Sequence, residues 1–449
     1  MKFNPLKSLL DRVPVRKSLL MYAAGALGCV LAVAALVWLN ALMSPRKPSV
    51  VLVICDTLRA DHLGCYGYER NTTANIDKFS EKAVLFTNAY ASAPCTIPSV
   101  WNIMMSQYQS LGPVKTKSAT FATFCKALGY ATGAVTANAY FMYDWASLSR
   151  GFDYYDPKCE TDMHKLSTRR AASVTDSAIG WLKGIEPGPF FLWVFYFDPH
   201  DPYDPPPPFR GYYTHTEAFS RDRRGGGIHL SLLARDHRRI TKKHKQFLIA
   251  AYDEEIRYFD YELGRLFDYL KDKGAYNDAL IIITADHGEE LGDNNRRWDH
   301  CMLLTQEELH VPFLIKLPGQ KRRITIDSAV QNIDAFPTVA DYMREDMARY
   351  KFEGKSLMPV ISSWTKRDDE RFAASFWKSQ RSIVVDSLKY WLWNKRVICY
   401  DIKTGEKIQN DGIREKLDTI LTGIYRKYVT KDLYYDRTVD HLKTLGYLQ

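Results

Sequence analysis

The sequence predicts an α/β protein, with a mostly parallel, mixed sheet flanked by helices, a small C-terminal antiparallel subdomain and one N-terminal transmembrane helix. Three observations carry this expectation. The runs VVLVIC (50–55), FFLWVFYF (190–197) and ALIIITA (279–285) each lead straight into a polar cluster, stretches with helical spacing lie between them, and Leu19–Met43 carries no charge. Parallel strands covered on both faces read as continuous apolar runs, and ligands of such sheets bind beyond the C-terminal strand ends.

The run LLMYAAGALGCVLAVAALVWLNALM (19–43) meets the roughly 20 apolar residues needed to cross a bilayer core. A cleaved signal peptide has a shorter apolar region, about 7–15 residues, and no small-x-small cleavage site follows this run. Lys2, Lys7, Arg12, Arg16 and Lys17 precede it, against Arg46 and Lys47 just after it. The positive-inside bias therefore places residues 1–18 in the cytoplasm. Beyond a linker at 44–49, the body of the chain lies on the periplasmic or extracellular side of the cell membrane. Trp38 fits the interfacial preference of aromatic rings.

With 46% hydrophobic and 25% charged residues in 449, the composition is that of a globular chain able to bury a large core, which argues against long disorder. The formal charge of +9 is concentrated at the N-terminus and in 210–245. That distribution favours a membrane surface or an acidic substrate over nucleic acid. Eight cysteines without a CxxC pair exclude a zinc ribbon and a dense disulfide framework. One or two disulfides remain open, their pairing unassigned.

Along residues 50–370, the first strand ends in Asp56. A short strand in TGAVTANAYF precedes Asn138, where a turn-forming Asn is equally consistent. AASVTDSAIGWLKG reads as a helix, and FFLWVFYF ends at Asp198 and His200. The prolines of DPHDPYDPPPPF hold an extended loop, and the basic stretch 209–245, with its Gly triplet, reads as a solvated insertion. In DEEIRYFDYELGRLFDYLKDKG, Ile256, Phe259, Leu263, Leu266, Phe267 and Leu270 recur at helical spacing, with Gly274 near the C-cap. ALIIITA then ends at Asp286 and His287. In the C-terminal subdomain (371–449), SIVVDSLKYWLW and VICYDI with the turn-like KTGE predict a small antiparallel sheet, and YYDRTVDHLKTLGYLQ a closing amphipathic helix.

Asp56, Asp286 and His287 supply hard oxygen and imidazole donors suited to Zn, Mn, Mg or Ca. Strand-end aspartates also cap helices and close turns.

Five segments resemble the sulfatase family of the alkaline phosphatase superfamily. VLVICDTLRADHLGCYGY (51–68) is similar to its first metal-binding strand and loop, APCTIPS (93–99) to its nucleophile segment, and FDPHDPYDPP (197–206) to its substrate-side histidine loop. IIITADHGEELGD (281–293) is similar to its second metal segment, and WDHCMLLTQEELHVPFLIKLPG (298–319) to the segment carrying a further active-site histidine before a buried strand. The resemblance runs from about Val50 to Gln449 and implies an alkaline-phosphatase-like fold. It implies Asp56, Thr96, Asp286 and His287 as metal ligands, Thr96 as nucleophile, and His200 and His300 as groups meeting the transferred group or the leaving oxygen.

The departures are informative. Sulfatases carry a cysteine or serine, oxidised to formylglycine, where this chain has Thr96; Cys95 is one place early, and Val100 replaces an arginine. No formylglycine is therefore expected. Threonine here resembles the phosphoethanolamine and phosphoglycerol transferases of the superfamily, although those have several membrane helices and the flanking motifs look more like the sulfatase branch. Thr57 replaces a second acidic residue, which favours Zn or Mn and leaves Ca or Mg open. Asp61 and His62 are read as steadying the loop, and Cys55 as a core residue. The expected activity is hydrolysis or transfer of a phospho- or sulfo-ester on an envelope lipid or glycan, without a nucleic-acid partner. The alternative is a catalytically degenerate domain that binds an anionic glycan or lipid.

Overall fold

The structure, a computed structural model, describes residues 47–108, 119–138, 147–158, 169–214, 241–293, 298–363 and 371–428, with Tyr22, Ala26 and Phe141 singly. The predicted cytoplasmic segment, nearly all of the predicted membrane run, positions 44–46 of the linker, the body of the basic insertion (215–240) and the predicted closing helix lie outside the described residues. No described helix is long and apolar enough to cross a membrane. The chain divides into Met1–Lys47 and Pro48–Gln449, and the second unit is the one described below.

Its centre is an eight-stranded sheet. The strands in chain order are β1 (Val50–Cys55), β2 (Val84–Phe86), β3 (Ala131–Thr136), β4 (Tyr154–Asp156), β5 (Phe190–Tyr196), β6 (Leu280–Ala285), β7 (Phe313–Lys316) and β8 (Ile324–Ile326). Their spatial order is β8-β2-β7-β6-β1-β5-β3-β4. β1 lies parallel between β5 and β6, while β7 runs antiparallel to both β6 and β2, so the sheet is mixed. The predicted direction of chain flow holds for the three strands read from the sequence.

Alternation explains why those strands are apolar but for the buried Thr284. Val51, Val53, Leu192, Val194, Ile281 and Ile283 belong to one core cluster, and Leu52, Ile54, Phe191, Trp193, Phe195 and Ile282 to another. Successive side chains point to opposite faces, and both faces are covered. The register pairs Cys55 with Tyr196 and with Ala285. The three strand ends are therefore level, and the residues just beyond them are neighbours.

Four helices matter for the site: α1 (Thr96–Met105), α2 (Ala171–Gly184), α3 (Lys242–Asp272) and α4 (Asp411–Tyr428). α2 coincides with the predicted helix. α3 begins eleven residues before the predicted start at Asp253, inside the stretch read as a basic insertion. Thr241 caps it, accepting from the His244 backbone amide while the His244 side chain bonds back, a reciprocal cap that fixes the start despite the polar first turns.

The C-terminal sheet is an antiparallel meander of β9 (Phe372–Trp377), β10 (Gln380–Val385), β11 (Leu388–Trp393) and β12 (Arg396–Asp401). α4 covers it, burying Leu417, Leu421 and Ile424 against Ile383, Tyr390 and Cys399. The sequence reading passed over this helix, although Ile413, Leu417, Ile420, Leu421 and Ile424 carry its period. β9 also reaches the main unit: Ser375 Oγ donates to the Ala91 carbonyl at 2.7 Å, the Phe376 amide to Ser92 at 3.0 Å, and Trp377 Nε1 to the Cys301 carbonyl at 2.8 Å.

Candidate active site

Asp56 follows β1 directly, and its amide donates to the Tyr196 carbonyl at 2.8 Å. Asn138, just past β3, donates from Nδ2 to Asp56 Oδ2 at 3.2 Å. Asp286 follows β6; its Oδ1 accepts from the amides of Thr57 (3.2 Å) and His287 (2.8 Å). Its Oδ2 is buried and accepts no hydrogen bond. His287 Nδ1 lies 2.8 Å from the Gly288 carbonyl, which can only accept, so Nδ1 carries the proton and Nε2 presents a lone pair.

Thr96 closes the cluster. Its Oγ1 stands 3.3 Å from His287 Nε2 and 3.4 Å from Asp56 Oδ1. His287 Nε2 lies 3.6 Å from Asp56 Oδ1 and 3.5 Å from Asp286 Oδ2. Asp56, Asp286 and His287 are fully buried and Thr96 nearly so. Burial, then the mutual repulsion of the two acids, pushes Asp56 well above the usual carboxylate range; burial also raises Asp286 and pushes His287 down. Two buried carboxylates, one orphaned oxygen and an imidazole lone pair around one point are costly without a cation and fit a divalent metal.

Thr96 is also the first residue of α1. Pro98 suits the first turn, where an amide hydrogen would have no helical partner, and Cys95 at the N-cap makes no side-chain cap bond. The leading amides of such a helix favour an anion. Ser99 Oγ donates to the Asp286 carbonyl at 2.6 Å, and Asn332 Nδ2 donates to both Ser99 Oγ (3.1 Å) and that carbonyl (3.3 Å). The helix start is thereby pinned to the end of β6.

Two further imidazoles extend the site. The His300 ring centroid is 4.7 Å from those of His287 and His200. His300 Nδ1 lies 3.1 Å from Glu289 Oε1 and 3.2 Å from Asp299 Oδ1. Burial opposes the imidazolium, but Glu289 and Asp299 outweigh it and raise His300 well above the ordinary histidine value. Burial raises Glu289 to about 8, while His300 Nδ1 faces carboxylates on two sides. His200 is the opposite case. Nδ1 meets the Asp201 carbonyl at 2.7 Å, the ring stacks on Phe197, and burial followed by the His300 charge holds it down to about 3. Neither imidazole hydrogen-bonds Thr96 among the described residues.

All six residues singled out in the sequence thus come together: Asp56, Thr96, Asp286 and His287 in the inner cluster, His200 and His300 beside it. Glu289, Asp299, Ser99 and Asn332 were missed, and Asn138 proves to hold Asp56 rather than only to turn the chain. The one available signal was Glu289 inside DHGEE. Cys95 and Cys301 form a disulfide, a pairing the sequence left open. Thr57 adopts a left-handed φ of 53°, and its carbonyl accepts from Tyr252 at 2.7 Å. Asp61 pairs with Arg59 and His62 with Asp253, each at 2.7 Å, which steadies the loop as expected; Cys55 and Val100 lie in the core. A cleft of about 1170 Å³ between α2, α3 and the proline-rich loop, lined by Trp181, Tyr258 and Phe209 among others, contains none of these groups.

Known proteins of similar sequence and fold identify the family. The sulfatase family model matches residues 48–345. The arylsulfatase of Clostridium perfringens is 23% identical over 77% of this chain and 85% of its own length. The N-acetylglucosamine-6-O-sulfatase of Bacteroides thetaiotaomicron is 22% identical over 71% of each chain. Among solved structures, the phosphonate monoester hydrolase of Agrobacterium radiobacter superposes with a TM-score of 0.67 at 19% identity, over 87% of this chain and 97% of that one. Members of the sulfatase family use a divalent metal ion, for which Asp56, Asp286 and His287 form one candidate site and Glu289, Asp299 and His300 a second grouping. The chain belongs to the sulfatase family and is a hydrolase of sulfate or phosphate esters.

Proposed function

We propose that this protein is a single-pass membrane enzyme whose catalytic unit faces the periplasm or exterior, where it cleaves or transfers a phosphoester of an envelope lipid or glycan through Thr96. The observation that carries the reading is the Thr96 hydroxyl itself, 3.3 and 3.4 Å from two of the candidate metal ligands. Asp56, Asp286, His287 and Thr96 would hold one ion, with Zn or Mn favoured by the imidazole and the small carboxylate count. Such an ion supplies a Lewis acid that favours the threonine alkoxide and offsets charge on the transferred oxygens.

Thr96 Oγ1, its proton released to solvent beforehand as ligand groups at a metal site are deprotonated, forms the new bond to phosphorus as the bond to the leaving oxygen breaks, giving a threonyl phosphoester. The leading amides of α1 receive the anionic oxygens. His300, flanked by Glu289 and Asp299, delivers a proton to the leaving alkoxide. His200, neutral and with Nε2 unengaged, accepts one from the water or acceptor hydroxyl that releases the ester. Chain features support the location: the uncharged run 19–43, the basic residues before it, and a disulfide of the kind that persists in oxidising compartments.

A second reading, hydrolysis of a glycan sulfate ester, is favoured by the relatives' names, arylsulfatase and N-acetylglucosamine-6-O-sulfatase. Acid quenching during turnover of an aryl phosphodiester, followed by peptide mass mapping, separates the two. A phosphoester on the Thr96 peptide is the expected result. Aryl sulfate turned over in preference, with no adduct on that peptide, would overturn the phosphoryl reading, and no turnover of either ester by metal-loaded protein would leave only the binding-domain alternative.

A further inference from the structure

The active site is tied together covalently. Cys95 precedes Thr96 and Cys301 follows His300, and the two cysteines, 206 residues apart in sequence, are bonded with their Cα atoms 4.8 Å apart. We propose that this disulfide is a positioning device for catalysis, holding the Thr96 hydroxyl and the His300 imidazole in register. The proposal rests on the reading that these two groups act in one reaction.

Three observations support it. First, among the described residues nothing else joins the two groups directly: His300 is held through Glu289 and Asp299 and makes no hydrogen bond to Thr96. Second, the turn carrying His300 is strained. Asp299 and Cys301 have φ values of 90° and 61°, a region that non-glycine residues rarely adopt and hold only where the surroundings over-determine them. Those surroundings are the disulfide, the Cys301 amide donating to the Pro94 carbonyl at 3.0 Å, and Trp377 Nε1 donating to the Cys301 carbonyl at 2.8 Å. Third, three of the four candidate metal ligands are fixed independently, Asp56 at the end of β1 and Asp286 and His287 at the end of β6. The cross-link can therefore be lost with those three in place, only Thr96 adjoining it.

Both cysteines are partly accessible, so a dithiol can reach the bond. Reduction transfers two electrons and two protons to the cysteines, giving two thiols, while the reductant closes to its own disulfide.

The test compares the full-length, metal-loaded protein before and after dithiothreitol treatment with the Cys95→Ala/Cys301→Ala double variant. Substrates are phosphodiesters with nitrophenyl and with alkyl leaving groups, and thiol number, bound metal and thermal unfolding are followed in parallel. A misplacement of about 1 Å can cost on the order of 100-fold, so kcat should fall about 10-fold or more for the nitrophenyl ester, with KM within about threefold and metal content unchanged. The alkyl ester should lose more, because an alkoxide needs the His300 proton and a nitrophenolate does not. A purely structural cross-link would not discriminate between leaving groups. Full reduction that leaves kcat for both esters unaltered overturns the proposal, as does a loss that tracks metal release or unfolding. Thr96→Ala, run alongside, separates the two levels: its inactivity together with reduction-insensitive kcat rejects the clamp alone, whereas its full activity rejects the parent reading and the clamp together.

Discussion

Replacing Thr96 tests the chemistry most directly, because the side chain offers the bond-forming atom and a shape that holds it. Thr96→Ala removes the hydroxyl; for a nucleophile acting as a unit with its neighbours, loss of about 10⁴-fold or more in kcat is the expected scale. Thr96→Ser keeps the hydroxyl but loses the β-branch that stiffens χ1. If one of three staggered wells is productive, the entropic cost is about 0.6 kcal/mol, or roughly threefold in rate. The deleted methyl leaves a small void at a position 4% exposed, costing about 0.8 kcal/mol of stability and loosening the oxygen further. Serine should therefore keep between roughly a third and a tenth of the wild-type kcat. Initial rates on aryl phosphodiesters and aryl sulfates, with bound metal measured in each sample, give the comparison. An alanine variant retaining more than about a hundredth of the rate would refute the nucleophile assignment, as would robust sulfate hydrolysis by protein whose Thr96 is intact and unoxidised.

Three other outcomes follow from the same coordinates. His287→Ala should lose activity and bound metal together, because it deletes the only nitrogen donor of the inner cluster; full metal occupancy by elemental analysis would exclude it as a ligand. Lys389 is fully buried, its Nζ has no hydrogen-bond partner among the described residues, and burial lowers it from 10.5 to about 7. The unfolded chain thus binds more protons, so the penalty is fully present below pH about 7 and fades as pH rises toward about 10.4. Lys389→Met should raise Tm, more at pH about 6.5 than at pH about 9.5, and an equal or reversed effect would contradict that sign. Protease added outside intact cells or spheroplasts should digest the catalytic unit while residues 1–18 stay protected, and a reporter at Gln449 active only in the cytoplasm would reverse the orientation.

What was legible in the sequence is what depends on short spacing. β1, β5 and β6 could be read because strands covered on both faces form near-continuous apolar runs, and Asp56, Asp286 and His287 because they directly follow those strands. The antiparallel course of β7 left no trace, since FLIK is equally apolar in either direction. The start of α3 was hidden because its first turns, KKHK, face solvent and the decisive signal is the single cap at Thr241. Asn138 gains its role through Asp56, 82 residues away, Glu289 and Asp299 through a turn whose geometry no spacing shows, and a disulfide spanning 206 residues depends on where the fold returns the chain.

Asp286 offers the sharpest test of whether the inner cluster is built for a cation or for the fold. Its Oδ1 does the structural work, accepting from the Thr57 and His287 amides, while its buried Oδ2 accepts nothing. Asparagine can keep both Oδ1 bonds and replaces the orphaned, charge-bearing oxygen with a neutral amide. If the carboxylate exists to bind metal, Asp286→Asn should stabilise the metal-free protein, by about 1–3 kcal/mol on the scale of a relieved buried charge. In saturating metal the order should invert, because an ion present at about 1,000 times its dissociation constant stabilises the wild type by roughly 4 kcal/mol and the variant by far less. Denaturant unfolding of both proteins, with chelator and then with Zn or Mn, reads the crossing. A variant less stable than the wild type even in chelator would mean that Asp286 serves the strand end and not a cation, and the metal assignment built on it would fall.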